Sequence, residues 1–437
     1  MAASAPAEMV VQAVLAVTGR PLTAVPCCAS DTVASLRQAI EILATEQLLV
    51  AICRGEAPDA PDSCDGGPWR ILLDGRLLRS SETLRAAGVC DGSVVAVVRS
   101  PPPRVLTASA DGTARLWDGG TGERLRTLAG HRADVGSATF SADGSRVLTT
   151  SKDSTARVWS AGTGECLCAL RGHRDAVYSG ALSPGGGLAA TASRDATARL
   201  WDAASGACLR TLAGHGQALY TACFSPDGGL LATASFDATA RLWSCASGQC
   251  LRVLEGHRDA LYCAVFSPSG GLVATASRDS TGRLWSSRSG ECLRTLAGHA
   301  DSLYTAAFSV DGHLLVTASF DATARLWSTA SGECLQTLEG HHSAVYCAGF
   351  SPDGDTVVTT SRDCTAKLWS AATGCCLHSL EGHRDLVYGA SFSADGELLV
   401  TAGGDHAARI WSSASGECLQ ALEGHGAVVG SAAFAPC

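Results

Sequence analysis

A 42-residue period governs most of this chain. Gly-His pairs end at His131, His173, His215, His257, His299, His341, His383 and His425, and tryptophans at 117, 159, 201, 243, 285, 327, 369 and 411 keep the same step. In the unit Gly256–Ala297 the apolar run Leu261–Phe266 is followed by the turn cluster Ser-Pro-Ser-Gly-Gly. Then come Leu272–Ser277, a tight Arg278-Asp279-Ser280 turn, Thr281–Trp285, a second turn over Ser287–Gly290, and Cys292–Leu296. Four short strands, A to D, are predicted, with no window long enough for a helix. A four-stranded sheet cannot bury both faces alone, so neighbouring units must stack and the stack must close.

Residues 102–437 number 336, eight units of 42. The first Trp-bearing segment starts at strand B, with no Gly-His or strand A upstream. The last unit ends in Gly424-His425 and Val428–Phe434, a strand A with nothing after it. Pairing 428–434 with 105–109 would complete one shared sheet and leave no open edge. Eight sheets are expected; a ring of seven that excludes one unit is the alternative.

Each unit also carries a polar set, represented by His257, Thr275, Asp279 and Trp285, with the threonine four residues before the aspartate in all eight. A hydroxyl, an imidazole and a carboxylate suggest a hydrolase triad, but eight copies around a ring would be eight active sites, and a structural role is the expectation. The period, the Gly-His opening and the Trp closing together resemble the WD-repeat family of β-propellers over about three quarters of the chain. The resemblance implies a mainly β, eight-bladed propeller over residues 104–437. It also implies that the polar set forms a hydrogen-bonded chain from indole through hydroxyl and imidazole to carboxylate, which satisfies polar groups that burial would penalise. In the first blade Thr107, Asp111 and Trp117 have no local histidine, and His425 would complete them.

In that family partners often bind where the Gly-His loops and B–C turns emerge. Five residues after each histidine stand Gly136, Tyr178, Tyr220, Tyr262, Tyr304, Tyr346, Tyr388 and Gly430, which accounts for all six tyrosines. Just before each repeated aspartate stand Ala110, Lys152, Arg194, Phe236, Arg278, Phe320, Arg362 and Gly404. Tyr and Arg dominate interface energetics, so Tyr178, Arg194, Tyr220, Phe236, Tyr262, Arg278, Tyr304, Phe320, Tyr346, Arg362 and Tyr388 form the candidate protein-binding face. Its expected partner is a protein or peptide, an acidic one among the candidates. The face is lopsided, with Gly and Ala near the closure. Arg278 and Arg362 units share Cys263 and Cys347 after the tyrosine, and Phe236 and Phe320 units share Thr221 and Thr305. This 84-residue alternation reads as duplication in blade pairs.

Residues 8–99 follow another pattern: strands at Met9–Val17 and Leu22–Pro26, a capped helix at Thr32–Leu43, a strand at Ile71–Leu73, then Thr83–Val89 and Val94–Val98. This order, with LLDGRLL and the later DGSVVAVV, resembles ubiquitin-like (β-grasp) domains, interrupted by a Pro/Gly/Asp-rich loop over about 45–68. Leu72 and Val98 match the apolar patch by which ubiquitin is gripped. Instead of a diglycine end the chain continues through a Pro-rich linker at 100–103.

The net charge of −9 argues against nucleic acid or an anionic membrane as the main partner. The N-terminus lacks a basic n-region, and no stretch approaches the ~20 apolar residues of a membrane span. Seven of the 20 cysteines recur once per blade on strand D, too far apart to bridge; they are expected to be packing residues in a reducing compartment. With no Cys-x-x-Cys pair, no metal site is expected, nor any cofactor or catalytic residue. The sequence thus predicts a cytoplasmic, non-enzymatic scaffold, a monomer or a subunit of a larger complex, with nuclear and ciliary placement as alternatives. A ubiquitin-pathway adaptor or ligase substrate receptor, and a ciliary or dynein-assembly factor, are the competing roles.

Overall fold

The computed structural model describes residues 8–15, 21–28, 31–40, 69–73, 76–77, 84–90, 93–99 and 102–436. The chain divides into two compact units, Met1–Pro103 and Arg104–Cys437.

The first unit holds strands β1 (Glu8–Leu15), β2 (Pro21–Cys28), β3 (Trp69–Leu73), β4 (Arg76–Leu77) and β5 (Val94–Arg99) in one sheet of order β2-β1-β5-β3-β4. β1 pairs antiparallel with β2 and parallel with β5. Alternate residues Val11 and Ala13, and Val25 and Cys27, face one core with Ile71 and Val95; Val33, Leu36 and Ile40 of the helical residues 33–40 cover it. Leu72 pairs with Ala96 and Val98 with Arg70. The side chains of Leu72 and Val98, helix positions beyond 40 and the loop at 45–68 lie outside the described residues.

The second unit is eight four-stranded antiparallel sheets. Blade I comprises Arg104–Ala129 with Val429–Phe434; blades II to VIII run Val135–Arg171, Val177–Ala213, Leu219–Leu254, Leu261–Leu296, Leu303–Leu338, Val345–Leu380 and Val387–Leu422. Strand B is pressed on both faces by neighbours, so five of its six residues are buried and most are small, as in Leu272-Val-Ala-Thr-Ala-Ser. Eight apolar clusters each combine one blade with the next. Ala232, Leu242 and Leu254 of blade IV, for example, pack with Leu261, Phe266, Val273 and Trp285 of blade V. The cluster joining blade VIII to blade I, Val400 and Ile410 with Val105, Trp117 and Val429, closes the circle and excludes a ring of seven. Val429–Phe434 runs antiparallel to Val105–Ser109, bracketed by Ala110 N–H to Val428 O at 2.9 Å and Ala435 N–H to Arg104 O at 2.8 Å.

One packing expectation is overturned. Cys166, Cys208, Cys250, Cys292, Cys334, Cys376 and Cys418 are exposed, because strand D is the outer edge of each blade and its first two residues face solvent throughout. Each Sγ donates to the carbonyl two residues on, at 3.4–3.6 Å.

Candidate functional site

The polar sets are complete in all eight blades. In blade V the Trp285 indole N–H donates to Thr275 Oγ1 at 2.9 Å, Thr275 Oγ1 meets His257 Nε2 at 2.8 Å, and His257 Nδ1 meets Asp279 Oδ2 at 2.8 Å. In blade I the chain ends share the set: Thr107 to His425 at 2.8 Å and His425 to Asp111 at 2.8 Å. Because Thr275 accepts from the indole, its own proton goes to Nε2, which leaves the Nδ1–H tautomer of a neutral imidazole to donate to the carboxylate. Burial holds His131, His173, His215, His341, His383 and His425 below the ordinary imidazole value, against the pull of their aspartates. Burial alone would raise the carboxyl of Asp153. Thr155, the Arg132 N–H and His131 outweigh it and bring the value to about 2. The hydroxyl is fully buried and engaged on both sides, so the set braces the blade. Gly256, at φ 147°, begins the segment that carries His257; a Cβ there would lie 2.5 Å from Arg283 Nη1, whose guanidinium sits over Trp285.

The six tyrosines sit where strand A breaks register. In blade V Leu261 pairs with Ser277 and Cys263 with Ala276, leaving Tyr262 as the extra residue of a β-bulge. Tyr178, Tyr220, Tyr304, Tyr346 and Tyr388 occupy the same bulge in their blades, and Gly136 and Gly430 occupy it in blades II and I. A bulge re-aims a side chain, and here it turns the rings toward one another across the innermost strands. Ring centroids lie 6.0 Å apart for Tyr178 and Tyr220, 5.5 Å for Tyr220 and Tyr262, 5.3 Å for Tyr262 and Tyr304, 5.7 Å for Tyr304 and Tyr346, and 6.0 Å for Tyr346 and Tyr388. The Tyr220 and Tyr304 hydroxyls bond to each other over the intervening blade. Burial raises both phenols above their ordinary range. The tyrosines therefore form a half-buried arc over blades III to VIII.

Phe236 stacks on Tyr220 at 6.0 Å and meets the edge of Tyr262; Phe320 does the same with Tyr304 and Tyr346. Arg194, Arg278 and Arg362 are exposed. Arg194 and Arg278 pair loosely with Asp175 and Asp259 at 3.7 and 3.8 Å. Ser343 stands where those aspartates would be for Arg362, which has no ion pair among the described residues. The alternation after each tyrosine has a physical use that sequence reasoning missed. Thr221 and Thr305 accept the backbone N–H of Ala264 and Ala348 in the next blade, both at 3.3 Å, and Cys263 donates to Ala306 O at 3.7 Å. Among the described residues no group of three or more His, Cys, Asp or Glu could hold a metal.

The WD domain, G-beta repeat model matches residues 82–118, 122–160, 164–202, 206–244, 248–286, 290–328, 332–370 and 374–412. Its first match runs back over Val94–Arg99, which the structure gives to the sheet of the first unit; blade I takes its strand A from 429–434 instead. No curated protein matches the chain. Among solved structures, the computationally designed Ika8 protein is similar, with 30% identity, a TM-score of 0.65, and coverage of 71% of this chain and 93% of that one.

Proposed function

The chain belongs to the WD domain, G-beta repeat family, and on that premise we propose that it is a non-enzymatic scaffold whose propeller binds a protein or peptide through the Tyr/Arg/Phe face. The observation that carries this reading is the juxtaposition of the tyrosine arc with exposed arginines at the B–C turns. Aromatic rings held rigid by their neighbours lose little entropy on binding, and arginines at their rim supply directional donors. The cations of Arg194, Arg278 and Arg362 favour an acidic partner. The fifteen cysteines from Cys90 to Cys418 are free thiols, which supports a reducing compartment such as the cytoplasm.

The first unit carries a second reading. Its sheet order, its parallel β1–β5 pair and a helix between β2 and β3 favour a ubiquitin-like domain that recruits a separate partner, with Leu72 and Val98 as the contact patch. An adaptor role in the ubiquitin pathway is the consequence to test for that unit.

Affinity capture with mass spectrometry tests both parts. The full chain is run beside an Arg194→Glu, Arg278→Glu, Arg362→Glu variant and beside a chain lacking residues 1–100. Partners lost only in the arginine variant support the propeller face. Partners lost only on deletion assign recognition to the first unit and overturn the face.

A further inference from the structure

The arc of tyrosines is interrupted at one place. Blades II and I carry Gly136 and Gly430 at the bulge where every other blade carries a phenol ring. The two blades are neighbours: a Cβ on Gly430 would lie 3.6 Å from Gly136 O, an ordinary contact. A Cβ on Gly136 would come no nearer than 4.0 Å, to Tyr178 O. Neither glycine has a positive φ. Backbone strain and crowding therefore do not require glycine at either position. Two phenol rings are missing from the arc, between Tyr178 on one side and Tyr388 on the other.

The same sector is unfinished in its polar groups and at the far end of the inner strands. Ser431 Oγ, next to Gly430, and Thr139 Oγ1, three residues after Gly136, are buried without a hydrogen-bond partner. In blades IV and VI the residue after the tyrosine is instead tied to the next blade. Thr139 also lines a cavity of about 350 Å³ with Phe140, Phe392, Phe434 and Pro436, drawn from blades II, VIII and I.

The rim is charged on balance positive. Blades VIII to III present Arg132, Lys152, Arg174, Arg194 and Arg384, all exposed, against Asp134, Asp175 and Asp385. Lys152 is held 2.6 Å from Asp134. Blade I contributes Ala110, Gly426 and Ala427 and no charge there.

We propose that the glycine gap accepts one aromatic side chain, best a tyrosine, from an acidic segment of a partner protein. The inserted ring stacks against Tyr178 and Tyr388, and the flanking carboxylates face the rim cations. This deepens the proposed scaffold function and rests on it.

The test pans random linear peptides displayed on phage against the full chain, then measures enriched peptides by fluorescence anisotropy. Proteins compared are the wild type, Gly136→Tyr, Gly430→Tyr, and the Arg278→Glu, Arg362→Glu pair, all with unchanged unfolding transitions or better. The expected outcome is enrichment of an aromatic residue flanked by Asp or Glu, with binding weakened about tenfold or more by either glycine substitution. Substituting the peptide aromatic by alanine should weaken wild-type binding by a similar factor. Peptides that bind Gly430→Tyr and the wild type equally overturn the gap. If those peptides still fail on the arginine pair, the face stands without it. Enrichment with no aromatic, or no enrichment at all, overturns the proposal.

Discussion

Blade V, in the middle of the arc, and blade VIII, beside the closure, share a period and a tetrad but differ in how tightly they are stitched. In blade V the Ser277 hydroxyl donates back to the Asp259 carbonyl, the Thr281 hydroxyl to Asp279, and the Cys263 thiol onward to blade VI. In blade VIII those places are Gly403, Ala407 and Gly389, and Asp405 holds only His383 and the Arg384 N–H firmly. Tyr262 and Tyr304 touch on one side, while Gly136 and Gly430 leave a gap on the other. Repetition thus fixes the ring, and departures from repetition fix where it can accept something.

The largest effect comes from removing the closure. Deleting 425–437 takes away strand A of blade I and the imidazole that joins Thr107 to Asp111. It exposes two blade faces at once, so a loss comparable to the ~5–15 kcal/mol stability of an ordinary domain is expected. Thermal unfolding checks it; an unchanged midpoint would show that the closing sector bears no load.

Acid strains both sectors alike, because all eight tetrads share one design. The six imidazoles held below 6.5 stay neutral in the fold, whereas in the unfolded chain they take up protons. Their contribution is complete above about pH 6.5 and shrinks as the pH falls below it. Asp153, Asp195, Asp237 and Asp363, lowered from 3.8 to about 2, add a second loss between those values. Denaturant titrations should show stability declining well before the carboxylate range. A profile flat from neutrality to pH 4 would contradict the neutral tautomer.

A single imidazole is worth less. His257→Ala leaves Thr275 and Asp279 short of a partner in a buried place, and about 3 kcal/mol is expected. His425→Ala should cost as much and, in addition, make strand 429–434 the first segment cut by protease. Equal proteolysis patterns for the two variants would erase the difference between middle and seam.

Much of this was legible in the sequence. The 42-residue step, Thr107 lacking a local histidine and the orphan strand at 428–434 specify eight blades, because a ring cannot close on incomplete sheets. The tyrosine set was legible as a set, but its packing was not. Leu261-Tyr262-Cys263-Ala264-Val265-Phe266 is apolar throughout, so no alternation in it marks where the β-bulge adds a residue and turns the ring toward its neighbours. The strand-D cysteines misled for a related reason: period two puts Cys292 in register with core positions, while its place on the edge strand exposes it. Recurrence of Thr221 and Cys263 was visible, yet its use as a tie between blades needed coordinates.

The smallest effects separate the arc from the gap most finely. Tyr304→Phe removes the hydroxyl bonded to Tyr220 and keeps the ring contacts with Tyr262 and Tyr346, so a loss of about 1 kcal/mol is expected. Gly430→Tyr does the reverse in the other sector. It stiffens the unfolded chain, worth about 0.4–1 kcal/mol, and places a ring within reach of Tyr388, while its Cβ meets nothing closer than 3.6 Å. A slightly raised melting temperature is the expected result, since aromatic pairs add about 0.5–1.5 kcal/mol. If Gly430→Tyr instead destabilises more than Tyr304→Phe does, the glycine is a packing requirement of the closing blade. The arc would then end at Tyr388 because the seam has no room for another ring, and the sector would be closed to any partner's side chain.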